Sequence, residues 1–265
     1  MWGEVTPAER LRAVTRRNVD EDRLAAEAAG ALEGFTSEPA SLVVACRRVL
    51  AHHPAQGALW WVCARILAAA EPRNESRAVA NALDSDRTAD RLGATLPILD
   101  EDQVIAAIGW PEIIDEAFLE RFDLLAVSVR VEGADPARSL RARHSDINVR
   151  LVDMWDPVLE HTARLLVPAN AIGPSRALVP QGTADAIATI KAAEVWLVGG
   201  VGRVLPARLY DMVLASLGEI ADEYEECSLE RFDRLAGPRG VERTAEAAAR
   251  VDCPVPPELL RPLAL

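Results

Sequence analysis

The sequence predicts an α/β fold: a helical N-terminal domain followed by a parallel sheet flanked by helices. Three observations predict it. From about residue 7 to 93, apolar residues recur at helical spacing and no strand pattern interrupts them. Beyond residue 95, short apolar runs alternate with amphipathic stretches, the pattern of βαβ units. Several of those runs, VIAAI at 104–108 above all, are apolar at every position, as strands buried on both faces are.

The helices come first. Pro7 is placed to start one, with Thr6 as its N-cap and Glu9 as capping-box partner. A second spans 20–32 and stops near Gly34. The third starts at Ser37-Glu38-Pro39 and carries Leu42, Val43, Cys46, Val49 and Leu50 on one face. His52-His53-Pro54 breaks it, the histidines serving as a C-terminal cap. Residues 58–70, with Trp60, Trp61, Ile66 and Leu67, form an apolar fourth helix that Pro72 ends. Residues 75–92 form a fifth, more polar one. These helices make a domain of residues 1–94, and residues 95–265 make the sheet domain with an extended C-terminal tail.

In the second domain GATLPILDEDQ reads as a linker. Strands are placed at 104–109, 124–131, 147–153, 164–172 and 195–202, and helices at 111–122, 135–143, 156–162, 183–193 and 206–218. The order gives a Rossmann-like parallel sheet. From residue 219 the chain is charged and partly irregular, and VDCPVPPELLRPL is too rich in proline to be helical throughout. In such sheets ligands sit beyond the carboxyl ends of the strands. The loops 109–111, 130–134, 170–182 and 199–206 are therefore the candidate rim.

Charge and composition narrow the partners. The chain has 265 residues, 29 basic against 41 acidic, and a formal net charge of −12. No basic stripe marks a nucleic-acid surface. No apolar run approaches the roughly 20 residues that span a bilayer, and MWGEVTPAERLRAV lacks the apolar core of a signal peptide. Cys46, Cys63, Cys227 and Cys253 are scattered, without CxxC spacing. A zinc site is not expected, and reduced thiols in a cytoplasmic protein are. No cofactor is implied.

At LLVPANAIGPSRALVPQGTADAIA the chain resembles the initiation factor 2B alpha/beta/delta family and the related methylthioribose-1-phosphate and ribose-1,5-bisphosphate isomerases. Four features stand in the family's order. A strand ends at Ala169-Asn170-Ala171-Ile172, and Gly173-Pro174-Ser175-Arg176 makes a polar turn. Gln181-Gly182-Thr183 then opens a helix, and VWLVGGVGRVLP follows as an apolar strand. The tail DCPVPPE is similar to the family's D-x-T-P-P-E ending with one residue inserted. The resemblance covers about residues 95–260. The GWPE loop and GVGRVLP strand end also resemble an actinobacterial group of sequences.

The resemblance implies a site for a phosphorylated sugar or nucleotide, and homodimerisation through the α/β domain. The apolar stretch 195–217 is the candidate dimer surface. The ligand-binding candidates are Gly109, Trp110, Arg130, Asn170, Arg176, Gly182, Thr183 and Arg203. Gly182 allows a tight turn or close backbone approach, and Thr183 is a good N-cap residue for a helix whose first amides can hold a phosphate. Arg130, Arg176 and Arg203 could pair with phosphate, and Trp110 could stack on a base or pack as a lid.

The isomerases of this superfamily use a cysteine after an early strand and an aspartate at the end of a later one. Here the matching positions are the cysteine-free Gly109-Trp110-Pro111-Glu112 loop and Asn170. An amide cannot take a proton near neutral pH. Three functions follow. The first is a non-catalytic binder or sensor of a phosphorylated small molecule, and the second a homodimeric interaction module. The third, an isomerase with other catalytic residues, is disfavoured by the missing pair.

Overall fold

A computed structural model describes residues 9, 11–12, 21–119, 121, 124–132 and 149–263. The helices placed before residue 20 and at 135–143 lie wholly or mainly outside the described residues. Along the chain, helices α1 (Glu21–Leu32), α2 (Pro39–His52), α3 (Gly57–Ala68), α4 (Pro72–Asp84) and α5 (Thr88–Thr95) precede strand β1 (Val104–Ile108). Then come α6 (Glu112–Phe118), β2 (Ala126–Arg130), β3 (Arg150–Asp153), β4 (Thr162–Pro168), β5 (Ala171–Ile172) and β6 (Arg176–Pro180). The rest are α7 (Thr183–Ile190), β7 (Glu194–Val198), α8 (Ala207–Ser216), β8 (Tyr224–Ser228), β9 (Arg234–Gly237), β10 (Gly240–Arg243) and α9 (Thr244–Ala248). Among the described residues no helix is long and apolar enough to cross a membrane.

Packing groups the described residues into two units. The first holds the residues up to Asp86, those of Val201–Gly218 and those from Val251 on. It is helical. Its α3 is buried around almost its whole circumference, which explains a run as apolar as ALWWVC. The Trp60 indole donates to the Pro54 carbonyl at 2.9 Å, so this buried N–H is satisfied. His52 closes α2 through a contact between its Nδ1 and the Arg48 carbonyl at 2.8 Å. The extended tail is tied to α2 by Arg47, whose guanidinium donates to the carbonyls of Glu258, Arg261 and Pro262. Trp61 donates to Asp252 at 3.2 Å. The expected fifth helix is two helices. Ser85 turns its hydroxyl back onto the Asn81 carbonyl at 2.6 Å, and such local bonds compete with helix continuation. Pro72 opens α4 rather than closing α3, sitting in the first turn where its missing N–H costs nothing.

The second unit, Arg87–Gly200 with Glu219–Arg250, carries the sheet. Seven strands run in the order β10-β9-β7-β4-β1-β2-β3. All neighbours are parallel except the β9–β10 hairpin. The order reverses between β1 and β4, which makes their carboxyl ends the switch point of the sheet. Ile105 and Ala107 share one face of β1 and enter a core with Leu92, Ile114, Phe118 and Trp196. Arg121 closes the end of α5 by donating to the carbonyls of Gly93, Leu96 and Pro97 at 2.7, 2.9 and 3.2 Å.

One sequence expectation about the strands is corrected. The strand placed at 164–172 is divided: β4 stops at Pro168, and β5 joins a separate antiparallel sheet of order β5-β6-β8. The region from residue 219 supplies β8, β9, β10 and α9, and residues 251–256 form no regular element, so it is partly irregular. The stretch 195–217 is part core and part surface: α8 exposes Ala207, Arg208, Asp211 and Ala215. β7 lies inside the sheet with Leu197 and Val198 buried, and α8 buries Leu209, Tyr210 and Val213.

Candidate strand-end site

The switch point places four loops of the sheet unit close together. Gly109 ends β1 with φ +62°, a left-handed conformation that glycine adopts without strain. Its N–H donates to the Val129 carbonyl at 3.1 Å, and its carbonyl accepts from the Ser128 hydroxyl at 3.1 Å. The loop is thereby pinned to β2. Trp110 follows and is 2% exposed. Its Nε1 donates to the Asp115 carboxylate at 2.8 Å, and its ring lies 5.4 Å from that of Phe118. The indole belongs to the core, and its single donor is engaged there.

Arg130 ends β2 and stands opposite Asp153 in the register with β3. Its Nε lies 3.8 Å from the Asp153 carboxylate and both side chains are exposed, so the pair contributes at most about 1 kcal/mol. Asn170 follows β4, is buried, and donates its backbone N–H to Leu178 at 2.9 Å, opening the β5–β6 hairpin. Val131 and Glu132, beyond β2, back onto Gly182: a Cβ there would come within 3.3 Å of the Val131 Cβ. The structure thus brings Gly109, Trp110, Arg130, Asn170 and Gly182 to the carboxyl ends of β1, β2 and β4.

It does not bring Arg176 to the same place. Arg176 opens β6 and pairs with Glu226 at 3.2 Å, while Gly182 lies past the other end of that strand. Four extended residues separate Arg176 from Pro180 by about 13 Å. Arg203 belongs to the helical unit and is buried.

The start of α7 differs from its sequence reading. Gly182, at φ +91°, is the N-cap residue, and Thr183 is the first helical residue. The Thr183 hydroxyl is fully buried and donates to the Pro180 carbonyl at 2.6 Å. The helix amide of Ala184 is already engaged: it donates to the Glu225 carboxylate of β8 at 2.7 Å. Asp185 adds a second acidic group to the first turn. The positive end of the helix dipole therefore faces the chain's own carboxylates. Glu225 was missed from sequence because it sits in an acidic run, and only the β6–β8 register, Val179 opposite Glu225, carries it to the helix start.

Asp115 is buried and accepts the Trp110 hydrogen. The four cysteines are free and buried. Burial pushes the Cys227 thiol up to about 11 and the Cys253 thiol up to about 12. The neighbouring Cys46 thiol, and then burial, raise that of Cys63. None of these three presents a thiolate near neutral pH. Among the described residues no group of three His, Cys, Asp or Glu side chains could hold a metal ion.

No protein-family model matches the sequence, and no curated protein does. Solved structures do resemble the fold. eIF2B beta from Chaetomium thermophilum is 13% identical over 92% of this chain and 89% of its own, with a TM-score of 0.67. A chain of the tetrameric eIF2B-beta2-delta2 complex from C. thermophilum is 15% identical over 92% of both chains, with a TM-score of 0.66. Subunit delta of the translation initiation factor eIF-2B from A. fulgidus is 14% identical over 90% and 88%, with a TM-score of 0.56. The chain thus has the fold of initiation factor 2B beta and delta subunits. Identities this low speak to the fold alone.

Proposed function

We propose that this chain is a non-catalytic protein that assembles with copies of itself, an initiation factor 2B-like interaction module rather than a phosphate binder or an isomerase. The observation that carries the exclusion of phosphate is the Glu225 carboxylate on the Ala184 amide at 2.7 Å. A phosphate at this helix start would have to displace Glu225 or approach it as a like charge, which costs free energy either way. The rest of the rim supports the same reading: Thr183 and Trp110 are buried and bonded internally, and Asn170 cannot replace an acid. The likeness to a chain of a tetrameric complex supports assembly.

Sedimentation velocity over a thousandfold concentration range and thermal melting, each with and without millimolar inorganic phosphate and pentose phosphates, test it. The expected result is a concentration-dependent dimer whose mass and melting temperature ignore the phosphates. A strict monomer overturns the assembly reading. A monomer or dimer whose melting temperature climbs with pentose phosphate overturns the exclusion of ligand.

A further inference from the structure

At the end of α7 away from Gly182, the surface has a different character. The segment between β3 and β4 and the C-terminus of α7 enclose an open groove of about 440 Å³, lined by Met154, Trp155, Pro157, Glu160, Ile190 and Lys191 among others. Trp155 is 76% exposed, the most exposed tryptophan among the described residues. An exposed indole of this kind is uncommon on a monomer surface and common at the centre of interfaces. Glu160 and Lys191 are both exposed on the same groove. Lys191 is the chain's single lysine, and it holds a left-handed backbone at φ +47°, the one non-glycine residue with positive φ among those described.

We propose that this groove is the contact by which two copies of the chain join, each inserting its Trp155 into the groove of the other. The proposal rests on the self-assembly reading above and names its surface. A projecting side chain beside a concavity on one face is what a twofold contact requires, because each residue then meets its counterpart's neighbours reciprocally. The charges fit the same operator. Lys191 of one copy faces Glu160 of the other, and the reverse pair forms across the axis. A chain of net charge −12 otherwise repels its own copy, so a contact built around its only lysine is a favourable place for one. Two buried tryptophans remove about 300–500 Å² from water, about a quarter of the roughly 1,200–2,000 Å² that a specific interface buries. The groove lies within the range of about 300–1,000 Å³ that admits drug-sized ligands, so an indole can enter it.

The test is the dimer dissociation constant of the full chain by sedimentation equilibrium, for wild type, Trp155→Ala, Lys191→Glu, Glu160→Lys and the double charge exchange. Circular dichroism checks each fold, which substitutions at exposed positions should leave intact. Trp155→Ala is expected to weaken the dimer about 100-fold or more, since the change acts twice in a twofold contact. Each single charge reversal is expected to weaken it about 10-fold, and the double exchange to restore it. A wild-type dimer that Trp155→Ala leaves unchanged overturns this surface while self-assembly stands. A wild-type monomer overturns both. Weakening by the single reversals without rescue in the double overturns the reciprocal Lys191–Glu160 pairing.

Discussion

The two ends of α7 are finished in opposite ways. At its start the chain turns through Gly182, buries the Thr183 hydroxyl on Pro180, and places the Glu225 carboxylate on the Ala184 amide. At its end Lys191 adopts the left-handed conformation that glycine usually takes, and the groove of Trp155 opens beside it. The start satisfies its polar groups from within. The end keeps backbone strain and an exposed indole. The contrast teaches where to look for function in this fold. At the strand-end rim, which the sheet topology nominates, the Trp110 indole, the Thr183 hydroxyl and the Ala184 amide are all engaged by the chain's own groups. The end of the same helix, which topology does not nominate, keeps the features of a contact surface.

The sharpest way to break this comparison is Gly182→Ala. An alanine at φ +91° suffers the left-handed penalty of about 1–2 kcal/mol. Its Cβ would also press to 3.3 Å on the Val131 Cβ, which forces a small shift. A loss of about 2 kcal/mol in urea denaturation, at fixed protein concentration, is the expected outcome. A change below about 0.5 kcal/mol would show that the turn is loose and that the start of α7 is not built as described.

Glu225→Ala comes next. It removes a charge-assisted bond to a helix amide together with the favourable dipole interaction, a combined loss of about 1–2 kcal/mol. Glu225→Gln keeps an acceptor and loses the charge, so it should cost about half as much. Equal costs for the two variants would mean that the charge contributes nothing at this helix start. Neither variant alters the groove at the far end of α7, so the dimer dissociation constant should not respond to them.

How much of this was legible beforehand depends on whether the deciding contact is local. β1 and β7 were readable because VIAAI and VWLV are apolar on both faces, as strands inside a parallel sheet are. β8 was not readable, because YEECS reads as charged surface until its pairing with β6 half-buries it. The division of 164–172 was hidden for the same reason. Nothing local in LLVPANAI tells that Asn170 bonds Leu178 and turns the chain into a second sheet. Gly182 and Thr183 were read as the start of a helix, but their roles in it are exchanged. Threonine is the better cap by side-chain chemistry, yet the left-handed turn at Gly182 moves Thr183 inside the helix. Arg203, read as a rim candidate from its place after β7, is a buried residue, and nothing in GVGRVLP announces that burial. That the segments 201–218 and 251–263 pack with α1–α4 is a long-range fact that no local pattern carries.

The smallest expected effect has the opposite sign, and it falls at the other end of the helix. Lys191→Gly removes the left-handed penalty at the C-cap of α7 and adds freedom to the unfolded chain, for a net gain of about 0.5–1 kcal/mol. Denaturation should be read at a concentration low enough to keep the chain monomeric, because self-association would otherwise contribute to apparent stability. If Lys191 is kept for the contact with Glu160 of a second copy, the variant should be more stable as a monomer and weaker as a dimer. Gains in both would remove the functional reason for the strain. A loss of monomer stability would mean that the lysine stem packs on the groove strongly enough to outweigh its backbone cost.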